Sequence, residues 1–97
     1  MHVEWSVLAL ADRFAIFDYI EADSLQAASL IDDRIEAAVE RLLTMPGMGR
    51  PGRIEGTREL IIDRAPYIAA YRITGETIFV LRVLHGAQQW PEELPIE

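Results

Sequence analysis

The chain has 97 residues, 51% apolar and 26% charged, with no cysteine and a formal net charge of −7. That length suits one domain over residues 1–97 and is too short for two. The composition excludes a disordered or fibrous chain, and the missing cysteine excludes a disulfide framework, a thiol nucleophile and a Cys-based zinc site.

All nine basic residues are arginine, and charge is unevenly spread. Residues 1–45 hold nine acids against three Arg, residues 46–91 hold four acids against six Arg, and the tail adds Glu92, Glu93 and Glu97. Phosphate attraction supplies most non-specific nucleic-acid affinity, so any anionic contact has to use the Arg-rich second half. The N-terminal MHVEWSVLALADRF carries no basic leader. No stretch reaches the roughly 20 apolar residues of a membrane span, so a cytoplasmic protein with no membrane role is expected.

His2 to Trp5 reads as a short edge strand, with Ser6 behind it as a helix N-cap. Leu10, Phe14, Phe17 and then Ile20 or Glu21 follow helical spacing, and this first helix is expected to end near Glu21. Asp23 with Gln26 three residues on resembles a capping box and opens a second helix. In it Ala28, Ile31, Ile35, Ala38 and Leu42 keep a 3,4,3,4 rhythm. Asp32, Glu36 and Glu40 form an acidic ridge along the same helix, and each like-charge neighbour costs a few tenths of a kcal/mol. Such a ridge is either a solvated face or a dock for a basic partner. Pro46 and Gly47 stop the helix.

Met45 to Gly56 is rich in Gly and Pro and is expected to be a loop. Thr57 to Ile62, Tyr67 to Thr74 and Thr77 to His85 read as three strands, the last two joined by a two-residue Gly75-Glu76 turn. Pairing Thr74 with Thr77 puts Tyr71 opposite Val80, Ala69 opposite Arg82 and Tyr67 opposite Leu84 on one face. Ala70 with Leu81 and Ile68 with Val83 fall on the other. Arg58 joins the Tyr71 and Arg82 side if Ile62 lies opposite Tyr67, whereas His85 projects from the opposite side. The expected fold is α+β: an N-terminal strand, an antiparallel helical hairpin, and a three-stranded antiparallel meander forming a sheet.

Trp5, Ala11-Asp12, Asp18-Tyr19-Ile20, the MPGMGRPGR loop, Thr57-Arg58-Glu59-Leu60, Pro66-Tyr67-Ile68, Tyr71-Arg72 and His85-Gly86-Ala87-Gln88-Gln89-Trp90-Pro91 together resemble the RelE/ParE toxins of bacterial type II toxin–antitoxin systems. Their shared order and spacing carry the resemblance, which runs over nearly the whole chain. It implies a growth-inhibiting toxin with plasmid or chromosomal stabilisation functions, held in a heteromeric complex with a cognate antitoxin, and needing no cofactor or metal. It also implies one of two targets: DNA gyrase, as in the ParE branch, or ribosome-bound mRNA, as in the RelE branch.

RNA cleavage needs a base, an acid and cations on the phosphate, for which Arg58, Arg82 and His85 are the candidates, with Glu59 close by. The nuclease branch, however, usually carries an Arg just after the aromatic residue that opens the central strand, and Ile68 stands there. It also presents a Lys cluster on the preceding strand, where this chain has Glu59 and Ile61. These departures favour the ParE side and a non-enzymatic toxin. Arg50, Arg53, Arg58, Arg82, His85, Gln88 and Trp90 are then the expected target contacts, and Asp32, Glu36 and Glu40 the expected antitoxin contacts. Blander readings stand beside these: a hydrogen-bonding His85, an Arg82 paired with Glu59, solvated Arg50 and Arg53, and a Trp90 that caps the core.

Overall fold

The computed structural model describes residues 1–95. Strand β1 (His2–Trp5) leads into helices α1 (Val7–Glu21) and α2 (Leu25–Glu40). The two-residue strand β2 (Arg50–Pro51) and strands β3 (Arg58–Ile61), β4 (Tyr67–Thr74) and β5 (Thr77–His85) follow. They form one sheet in the order β1-β5-β4-β3-β2. The expected meander is there, extended on one side by β1, which runs parallel to β5, and on the other by β2. β2 lies inside the segment expected to be all loop, and two residues that include a proline are too few to signal a strand.

Local chemistry sets the helix starts. Ser6 caps α1, its hydroxyl accepting from the Ala9 amide at 2.9 Å. For α2 the cap is Ser24, which accepts from Ala27, and not Asp23; both residue types favour the position, and the choice moves the start by one residue. α2 stops at Glu40, with tight 3-10 turns over Arg41–Leu43 and Pro46–Met48 instead of a helix reaching Pro46.

The expected α2 stripe faces the sheet: Ala28, Ile35, Ala38 and Leu42 are buried, with Val39 beside them. Ile35, Ala38, Val39 and Leu42 pack with Leu60, Ile62, Tyr67, Ala69, Tyr71, Ile78, Val80 and Val83, the inward face of β3, β4 and β5. α1 behaves differently. It contributes Ala9, Ile16 and Ile20 to that core, so of the expected stripe Ile20 turns inward while Leu10 and Phe14 are exposed.

The β4–β5 hairpin turns at Gly75, whose φ of +59° suits a residue without a Cβ. Pairing runs as expected from Thr74↔Thr77 to Tyr71↔Val80. There the register slips: Arg82 lies opposite Ala70, Val83 opposite Ala69 and His85 opposite Tyr67, leaving Leu81 as an extra residue. This bulge replaces the expected pairs Ala69–Arg82, Tyr67–Leu84, Ala70–Leu81 and Ile68–Val83. It also reverses the expected faces, because beyond a one-residue slip every side chain changes side. Arg58 lies opposite Tyr71 as expected, so His85 shares its face and Arg82 does not.

α1 holds the bulge in place. β1 covers β5 only as far as Val80, and beyond it the outer edge of β5 would expose unpaired backbone groups. Side chains of the α1 region take over. The Ser6 hydroxyl donates to the Leu81 carbonyl at 2.7 Å, and the Asp12 carboxylate accepts from the Val83 amide at 2.9 Å. Among the described residues no helix is long and apolar enough to cross a membrane.

Candidate functional site

The Gly/Pro segment between α2 and β3 is anchored from below by the fully buried Tyr71. Its hydroxyl accepts from the Gly49 amide at 2.9 Å and donates to the Pro46 carbonyl at 2.7 Å. A Cβ at residue 49 would lie 2.7 Å from the Tyr71 ring, so only glycine allows the approach. Arg58 holds the same turn from the side, donating to the carbonyls of Gly49 at 2.7 Å and Gly47 at 3.3 Å. Tyr71→Phe leaves the buried Gly49 amide and the part-buried Pro46 carbonyl without this partner, and a cost of about 2 kcal/mol is expected in urea unfolding.

On the opposite face of β3 lies a second cluster. Glu59 is only 3% exposed, and its carboxylate accepts from Arg50 at 3.0 Å, from the Arg53 Nε at 3.0 Å and from the Arg53 backbone amide at 2.9 Å. Burial pushes this carboxyl up, but the hydrogen bonds from Arg53 and Arg50 outweigh it and hold the pKa below the ordinary value. The Arg53 guanidinium lies 3.7 Å from the ring centre of the half-buried Trp90, a cation–π contact that brings the chain after β5 back over the sheet. In the same stretch the Gly86 amide donates to the Pro66 carbonyl at 2.9 Å. Arg50, Arg53, Glu59 and Trp90 therefore form one site, in which two cations meet one buried anion and both guanidinium groups remain partly open to solvent.

The other expected residues are elsewhere. Arg82 forms a two-pronged pair with Asp12, at 2.7 and 2.8 Å, and not with Glu59. Those hydrogen bonds hold its proton more tightly than usual despite the burial that opposes them. His85 packs edge-on against Tyr67, and its Nδ1 accepts from the Ala87 amide at 3.0 Å, which leaves the proton of the neutral ring on Nε2. The Gln88 side chain turns back to accept from the His85 amide at 2.8 Å. Arg58 and His85 share a face but sit two strands and four positions apart, on the order of 15 Å at standard sheet spacings. Arg58, Arg82 and His85 thus do not meet around one phosphate.

Asp32 and Glu36 both meet Arg13, at 2.8 and 3.5 Å. The cation answers the repulsion along the acidic ridge and lies over Trp5, 4.6 Å from its ring centre, while Glu40 is exposed. Asp12 and Arg13 were not among the expected site residues. No spacing rule links Asp12 to an arginine on a strand 70 residues away.

The family described as "ParE toxin of type II toxin-antitoxin system, parDE" matches residues 3–90. A protein named toxin Y4kP from Sinorhizobium fredii is 44% identical over 92 residues, 95% of either chain. Toxin RelE2 of Caulobacter vibrioides is 34% identical over 89% of this chain and 96% of its own. A solved chromosomal ParDE system from P. aeruginosa superposes with a TM-score of 0.79 at 32% identity, covering 88% of this chain and 95% of that one. The toxin–antitoxin complex RelBE2 from Mycobacterium tuberculosis gives 0.60 at 26% identity, covering 87% and 95%.

Proposed function

Because the chain belongs to the ParE toxin family of type II toxin–antitoxin systems, we propose that it arrests growth by binding an essential protein target, DNA gyrase, without cutting RNA. In this reading a cognate antitoxin restrains it in the cytoplasm; the solved ParDE and RelBE2 toxin–antitoxin systems support the antitoxin partner. One observation carries the choice of mechanism. Of the three residues that could cleave RNA, Arg82 is neutralised by Asp12 and Arg58 lies far from His85, so no base, acid and cation converge.

The surfaces left for a target are the solvent-facing parts of Arg50 and Arg53, the Arg58 turn and the His85–Trp90 segment. A binding site weakens by degrees when it loses a contact, whereas a catalytic site loses its chemistry. Arg50→Ala should lower inhibition by about tenfold, the effect of one interface arginine, and a matching rise in toxin concentration should restore it. Mapping transcript 5′ ends after induction tests the rival reading. No new ends within the ribosomal A-site codon are expected, and their appearance would overturn the proposal.

A further inference from the structure

The sheet has an open edge next to β2. That strand pairs with only Arg58 and Glu59 of β3, so among the described residues Leu60 and Ile61 have no strand beside them on that side. The Ile62 amide donates to the Tyr67 carbonyl at 3.0 Å, and by antiparallel alternation the backbone groups of Ile61 point the other way, out of the sheet edge. A cleft of about 320 Å³ lies there, lined by Arg41, Met48, Gly49, Arg50, Leu60 and Ile61, with Glu59 in its wall. Met48 is 38% and Ile61 56% exposed.

Charge selects the occupant. In a chain of net charge −7 this edge is locally positive. Glu59, the acid on the cleft wall, is already answered by Arg50 and Arg53, and Asp63 beyond the strand by Arg64. Arg41 has no ionic partner among the described residues, and the Arg50 side chain is still 50% exposed. Guanidinium groups grip carboxylates with two parallel bonds. The exposed Met48 and Ile61 beside them suit a peptide, whereas a nucleic acid offers them nothing and would approach against the net charge. A second copy would bring its acidic ridge on α2, a helix whose backbone is bonded internally and cannot pair with Ile61.

We propose that this cleft takes a short extended acidic segment of the target protein. Its Asp or Glu side chains meet Arg41 and Arg50, an apolar side chain between them rests on Met48 and Ile61, and its backbone pairs with Ile61 at the open edge of β3. This rests on the reading that the chain acts by binding a protein target. It extends the target surface from Arg50 to Arg41 and gives the segment it recognises a chemistry.

The test uses the purified full chain with carbon-13 methionine methyls, the Met48 signal being assigned by Met48→Leu, and three synthetic peptides centred on one leucine and flanked by glutamates, glutamines or lysines. The glutamate peptide should shift the Met48 signal with an affinity at least about fivefold above that of the glutamine peptide at low salt. The net charge alone predicts the opposite order. Arg41→Gln should remove about fivefold of that affinity and Arg41→Glu more, with the thermal midpoint unchanged, and Arg41→Gln should raise the toxin concentration that half-inhibits supercoiling by a similar factor. A preference for the lysine peptide at Met48, no shift with any peptide, or indifference to both Arg41 substitutions overturns the proposal. So does displacement of the glutamate peptide by equimolar single-stranded DNA or by phosphate, which would make the ligand a phosphate group, or a dimer in sedimentation that Arg41→Glu dissolves. Inhibition of supercoiling by the natural chain is scored separately. Its absence would defeat the target reading and leave the peptide preference standing, and failed peptide binding with inhibition intact would do the reverse.

Discussion

Asp12→Ala is expected to lower the thermal midpoint by roughly 15 °C, the largest single-residue effect outside the apolar core. Asp12 neutralises Arg82 and also accepts from the Val83 amide where β5 has no strand partner. The two side chains are 14% and 22% exposed, so the abandoned guanidinium escapes only partly to solvent. Breaking a fully buried pair costs about 3–5 kcal/mol; allowing for that escape, and adding the lost amide bond, gives about 3 kcal/mol. Arg82→Met should cost less, because Asp12 keeps Val83. The double variant should cost less than the sum of the singles. Urea unfolding of all three checks this, and an Asp12→Ala cost below about 1 kcal/mol would mean the bulge holds without it.

Glu59→Gln is expected to cost about 2 kcal/mol at neutral pH by removing charge-assisted bonds from Arg50 and Arg53, and to remove an acid-sensitive component of stability. In the unfolded chain Glu59 titrates near its ordinary value of 4.5, whereas in the folded chain it titrates lower. On acidification the unfolded state takes up the proton first, so the stabilisation is fully present above about pH 4.5 and is lost as pH falls through the lowered folded value. The gap between the natural chain and Glu59→Gln should therefore be constant from pH 7 to 5 and narrow progressively as pH falls below about 4.5. A gap that is unchanged at pH 3 would show that the carboxylate charge is not what the two arginines hold.

Much of this was legible before the structure. Gly75-Glu76 between two β-rich runs located β4 and β5 to the residue, and Ser6 located the start of α1, because a tight turn and a cap are local events with few alternatives. The bulge was not legible. Val80, Leu81, Val83 and Leu84 are apolar on both sides of the strand, so no alternation marks where the register slips. That one residue decided the candidate site, since it moved Arg82 off the face it was expected to share with Arg58 and put His85 there instead. Its cause lies in Ser6 and Asp12, more than 65 positions away. The Glu59 cluster was half visible: Arg50, Arg53 and Trp90 stood out as residue types, but which acid they surround depends on how the loop and the C-terminal segment fold over the sheet. α1 shows the converse, for Leu10 and Phe14 of its clearest apolar period face outward and its core contacts, apart from Ile20, are the quieter Ala9 and Ile16.

Whether this ParE-family toxin acts by engaging gyrase, as proposed, is decided by a supercoiling assay with purified gyrase and purified toxin. Relaxed plasmid should stay relaxed as toxin is added, and Arg50→Ala should shift the inhibition curve to higher concentration without abolishing it. Full supercoiling at micromolar toxin excess would contradict it.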